Sequence, residues 1–137
     1  MRTNLDRFFK SNTNLESNGI WMEISDDLAF KVKRMGGANH DFKKSYAARL
    51  KPYARRIANG TMDESKEEML YIEVFVESCL IDWKGVEVDG ELVEFSKQQA
   101  LDILTDPSYS DLVGALIAHA TEAGNYREEQ LVDLGKS

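Results

Sequence analysis

The strongest constraint on the fold lies at residues 69–83, where Met69, Leu70, Ile72, Val74, Phe75, Val76, Cys79, Leu80, Ile81 and Trp83 leave Glu73 and Glu77, four positions apart, as a thin polar stripe. A helix that is apolar around most of its circumference belongs at the centre of a core or at an interface between chains. Thr61-Met62-Asp63-Glu64 just upstream matches a capping box, so the sequence predicts one helix over about 62–83. Glu73, Glu77 and Asp82 break the run, and it is too short and too charged to span a bilayer. A chain of 137 residues built around such a rod is about one domain long, and it can fold without a disulfide or a metal.

The flanking segments supply its partners. Leu28, Phe30 and Val32 alternate with Ala29, Lys31 and Lys33, a period of two that marks a strand with one buried face. With Ile20-Trp21-Met22-Glu23-Ile24 before it and Ser25-Asp26-Asp27 between, a hairpin is expected. Asn39 is placed to cap a helix carrying Phe42, Tyr46 and Leu50 on one face, and Pro52 predicts a kink or restart. Asp89-Gly90 predicts a tight turn between two short extended runs. Ser96 and Gln99 offer a second capping box, and Asp106-Pro107 the start of a last helix with a stripe of Leu112, Val113, Leu116, Ile117 and Ala120. The expected fold class is α+β, predominantly helical, with an N-terminal β-hairpin packed on a small bundle of about four helices. Residues 1–17 read as a loosely held arm and 18–137 as a single domain.

Charge is segregated along the chain. Residues 31–56 hold nine basic side chains against Asp41 alone, +8, which leaves −15 on the rest of a chain whose net charge is −7. Such asymmetry suits a surface that meets a charged partner or another copy of the chain. Nucleic acid is one candidate, using the basic segment and its interleaved Phe42, Tyr46 and Tyr53. These aromatics share a face with Leu50, however, and the acidic remainder repels phosphate, so a protein partner is favoured.

No constellation for chemistry stands out. His40 and His119 are far apart, and with one cysteine they fall short of a zinc ligand set. Cys79 sits among apolar residues as a core thiol would. Neither Gly-x-Ser-x-Gly nor Ser-x-x-Lys occurs, and Glu77, Asp82 and Glu87 are carboxylates that nothing fixes around a pocket. The expectation is therefore a non-enzymatic binding module with no catalytic, cofactor or metal residues. Its candidate contacts are Leu70, Phe75 and Trp83 on the apolar helix, Phe8, Phe9 and Trp21 as further large apolar groups, and Lys43, Lys44, Arg49, Arg55 and Arg56 on the basic segment.

The order Leu80-Ile81-Asp82-Trp83-Lys84-Gly85-Val86, then Asp89-Gly90, Phe95-Ser96 and the Leu-rich 100–104, resembles the tail assembly chaperones of long-tailed bacteriophages. Gly19-Ile20-Trp21, Gly36-Gly37-Ala38-Asn39 and Leu50-Lys51-Pro52-Tyr53 extend the resemblance over 18–126. It implies a protein of the infected cell's cytoplasm, absent from the mature virion, that keeps the tape-measure protein soluble and helps recruit tail-tube subunits. In many members a programmed ribosomal frameshift adds an extension that contacts the tube protein. The lack of a secretory-type apolar core in residues 1–6 and the single cysteine suit that compartment. The +8 and −15 split adds an expectation of head-to-tail self-association into a ring or spiral.

Overall fold

The structure is a computed structural model that describes residues 4–126. Two short helices, α1 (Asn4–Phe9) and α2 (Thr13–Asn18), lead into β1 (Ile20–Glu23) and β2 (Ala29–Val32). The expected hairpin is present, with Met22 opposite Phe30 and Ile20 opposite Val32. Its turn is closed by the Ile24 amide donating to the Leu28 carbonyl at 2.9 Å. Next come α3 (Asp41–Leu50), a 3-10 turn over Lys51–Tyr53 at Pro52, α4 (Ala54–Ala58) and α5 (Glu64–Ser78). Asn39 does reach the first turn of α3, its Oδ1 accepting from the Asp41 amide at 3.4 Å.

The long helix differs from expectation at both ends. Asp63, not Thr61, caps it, with Oδ1 accepting from the Ser65 amide at 2.9 Å. It also stops at Ser78, and residues 80–84 form a strand, β3 (Leu80–Lys84), antiparallel to β2. The sheet therefore has three strands in the order β1-β2-β3. A two-stranded hairpin is marginal alone, and β3 supplies the third ladder while burying Leu80 and Trp83. The helix end is secured from a distance. Lys97 Nζ donates to the carbonyls of Val76 at 2.7 Å, Glu77 at 3.3 Å and Leu80 at 2.5 Å. The orphan carbonyls of the last turn thus meet a cation, which the helix dipole favours.

Beyond β3, the residues Asp89 (φ 53°) and Gly90 (φ 82°) turn β4 (Glu87–Val88) into β5 (Glu91–Leu92), the paired positive φ of a type I′ turn. Ser96 caps α6 (Lys97–Leu104), its Oγ accepting from the Gln99 amide at 3.0 Å. Pro107 opens a 3-10 turn before α7 (Ser110–Thr121). The core is made by Val32, Val74, Val76, Leu80, Ala100 and Leu116, all fully enclosed, with Phe30, Trp83 and Phe95 stacked edge to face. An aromatic trio of Phe42, Tyr46 and Tyr71 joins α3 to α5.

The expected loose arm is tied down. Asn12 N–H donates to the Tyr126 carbonyl at 2.7 Å, and Tyr126 Oη to the Val32 carbonyl at 3.1 Å. The buried Glu16 carboxylate pairs with the Arg34 guanidinium and accepts from Ser11 Oγ at 2.8 Å. Gly37 (φ 56°) lies against this pair, where a Cβ would overlap the Glu16 carboxylate. The C-terminal part of the expected 18–137 domain, residues 127–137, lies outside the described residues.

Lys97→Met keeps an apolar stem but strips the α5 terminus of its donor. We expect it to lower unfolding free energy by about 1–2 kcal/mol, read as a lower urea midpoint at unchanged slope, with Lys97→Arg recovering part of the loss. An unaltered midpoint for Lys97→Met would show that the junction holds without the cation.

Candidate partner-binding surfaces

The predicted contact residues separate into three environments. Leu70, Phe75 and Trp83 are core residues, 6%, 1% and 6% exposed, so the apolar rod is spent mainly on the protein's own interior and these three offer no surface to a partner. Its exposed apolar side chain is Met69, near the N-terminal end. Arg49 is held between Glu73 at 2.8 Å and Glu77, which fastens α3 to α5 and removes it from a free basic patch. Lys43, Lys44, Arg55 and Arg56 are exposed, as is Lys51. Among the described residues these five have no ion-pair partner, and Arg56 lies 5.9 Å from the Tyr53 ring centre. Trp21 is half-buried on the outer sheet face, with Lys84 Nζ 4.2 Å and Lys31 Nζ 6.0 Å from its ring. Phe9 is exposed, and the side chain of Phe8 lies outside the described residues. The structure does not gather these residues into one site.

It gathers another set instead. The hairpin turn, β4, α6 and α7 enclose a groove of about 400 Å³ lined by Ile24, Leu28, Phe30, Val86, Val88, Ile103, Tyr109, Leu112 and Ala115. Glu87 and Asp111 are its charged lining residues. Ile24 is 50% exposed and Tyr109 37%. A second groove of about 430 Å³ runs between Met69 and Ile72 of α5, Leu104 of α6, Pro107 and Val113 of α7, with more polar residues among its walls. Sequence reading missed the first groove because its walls come from four separated segments, each amphipathic in an ordinary way. The available signal was Tyr109, a large aromatic beside a helix cap with no place in the apolar stripe of the last helix.

The ionisable groups are arranged for structure. Cys79 is fully enclosed next to Ser78 Oγ at 3.5 Å. Burial pushes its thiol up to about 11, against the opposing pull of the Ser78 hydroxyl, Lys33 and Lys97. His119 is held down from its ordinary value by burial, with Nε2 enclosed and unpartnered and Nδ1 3.3 Å from Asn125 Nδ2. Asp82 accepts from the Trp83 amide at 2.8 Å, and Glu77 belongs to the Arg49 pair. Among the described residues no three His, Cys, Asp or Glu side chains group as a metal site would require. No described helix is long and apolar enough to cross a membrane.

Residues 37–137 match the model of the YdaY prophage protein family, and the chain belongs to that family. It is thus a phage-derived protein. The match takes in the β4, α6 and α7 walls of the groove, while the hairpin wall at 24–30 precedes it. No curated protein and no solved structure matches the chain.

The Cys79 environment generates a pH dependence. Native chain keeps a thiol proton that unfolded chain releases above the thiol's ordinary value of 9.0. Stability from this group is therefore complete below pH 9 and lost as pH rises toward about 11, by up to about 2–3 kcal/mol. Urea midpoints at rising pH should show the decline, and Cys79→Ala, less stable throughout, should lack that part of it. An equal slope in the variant would remove the thiol as its source.

Proposed function

We propose that this chain is a non-enzymatic tail assembly chaperone that holds an apolar helical segment of a tape-measure protein and helps bring tail-tube subunits to it, working in the cytoplasm of the infected cell. One observation carries the reading: an apolar groove open to solvent between the hairpin and α7, on a protein whose α5 turns most of its apolar side chains into the core. Its apolar lining suits the helix-in-groove mode, where anchors spaced i, i+3 or i+4 and i+7 enter an apolar channel. Prophage membership supports the setting, and the net charge of −7 suits a protein that must stay dissolved while holding an apolar client. A frameshifted longer form reaching the tube protein, and self-association through the basic 31–56 segment, belong to the same proposal.

A second reading, a small nucleic-acid-binding or regulatory protein, is favoured by the exposed Lys43, Lys44, Lys51, Arg55 and Arg56. It is weakened by the aromatics that would stack on bases. Phe42 and Tyr46 are engaged with Tyr71 in the α3–α5 contact. Steeply salt-dependent binding of DNA or RNA at submicromolar concentration would select this reading over the first.

Ala115 is an exposed groove residue, so Ala115→Arg obstructs the channel without entering the core. Co-expression with the tape-measure protein of the same prophage should recover a soluble complex with the native chain and about tenfold less with the variant, at matched thermal stability. Equal recovery with both would take the client out of this groove.

A further inference from the structure

We propose that the groove selects an amphipathic helix whose apolar stripe is flanked by lysine or arginine. The inference rests on the docking role proposed above and adds to it a choice by charge. Every ionised side chain in the groove lining is acidic, namely Glu87 and Asp111. The turn between the lining residues Ile24 and Leu28 carries exposed Asp26 and Asp27. The nearby cation on the sheet, Lys84, is engaged on the opposite face with the Trp21 ring at 4.2 Å.

A rim of one sign around an apolar floor acts at short range through a medium of lower dielectric than water. A bound helix carrying Lys or Arg beside its apolar stripe lays the aliphatic stems along the groove wall and brings the heads to these carboxylates. A helix flanked by Glu meets like charge at Glu87 and Asp111, the repulsive half of specificity. The wall formed by α7 also lets a partner come close, since its lining residue Ala115 is small and exposed. The same acidic rim turns phosphate backbones away, which separates this face from the basic α3–α4 surface.

The test is fluorescence anisotropy with two labelled helical peptides of about 18 residues, long enough to span the groove. They share one leucine stripe and differ only in Lys or Glu flanks, and a scrambled Lys peptide keeps charge without the stripe. We expect the Lys peptide to bind about tenfold or more tighter than the Glu peptide. The gap should narrow near ~0.5 M salt and shrink or invert in a Glu87→Lys, Asp111→Lys variant, and the scramble should fail to bind. Equal affinity for the Lys and Glu peptides overturns the charge selection while leaving docking intact, and binding of neither removes docking as well. Binding of the scramble as tightly as the striped peptide reduces the effect to bulk attraction and overturns the proposal. Sedimentation of the free chain covers the remaining occupant: a dimer dissociated by Ala115→Arg would assign the groove to a second copy instead.

Discussion

The Lys97 ammonium, resting on the carbonyls of Val76, Glu77 and Leu80, marks the point on which the architecture turns. Those carbonyls belong to the end of a helix and the start of a strand, two geometries that need different hydrogen-bond partners. At the end of α5 the backbone carbonyls point along the axis with no amide ahead of them. In β3 the amides and carbonyls turn sideways to β2. Ser78 begins the departure by folding its hydroxyl onto the Val74 carbonyl at 2.6 Å, a local bond that competes with the helical pattern. Desolvation, then Lys33, lowers the Lys97 pKa, so the ammonium gives up some solvent contact to occupy this position. The side chain starts at the first residue of α6, and one contact thereby fixes α5, β3 and α6 relative to each other.

That junction also explains which parts of the sequence were readable. Elements whose signals are local were legible: alternation through Leu28, Phe30 and Val32, the restart at Pro52, the Asp89-Gly90 turn, and the caps at Ser96 and Asp106. The helix-to-strand switch was not, because residues 78–80 contain neither Gly nor Pro, and the apolar stretch Cys79-Leu80-Ile81 satisfies a buried helix and a buried strand equally. What decides it sits seventeen residues beyond Leu80, in Lys97. The candidate site suffered from a related ambiguity. Leu70, Phe75 and Trp83 were chosen for bulk and apolarity, yet those properties describe core residues at least as well as contact residues. The groove residues are smaller and scattered, and only folding brings Ile24, Val88 and Leu112 to one place.

The segment before residue 37 is outside the family match but integral to the described fold. Glu16 reaches Arg34 beneath Gly37, Asn12 bonds to Tyr126, and Tyr126 returns to Val32. The two Tyr126 bonds join this segment to the C-terminal end of the described chain, and the Glu16–Arg34 pair packs against Gly37 at the start of the family match. Removing one member of a buried charged pair leaves the other without compensation, so the clasp depends on both ends being present. Gly85 (φ 72°) makes a comparable close approach, with a Cβ there overlapping the Asp27 carbonyl. This brings the turn of the hairpin against the exit of β3, and so sets the hairpin wall of the groove beside Val86.

Charge segregation acquires a structural meaning from these placements. Arg49 is consumed in bridging α3 to α5, whereas the remaining exposed cations extend along α3 and onto α4, every residue of which is exposed. A five-residue helix with no buried face draws little stability from its own hydrogen bonds, so α4 reads as a projecting surface and not as part of the packing. The groove lining, by contrast, holds two ionised side chains, both acidic, Glu87 and Asp111. An apolar channel left neutral invites indiscriminate association between copies; in the proposed docking role, carboxylates at its edge would oppose that association and favour cationic partners. On that proposal, solubility and selectivity are two effects of the same side chains, which ties the net charge of −7 to the open groove.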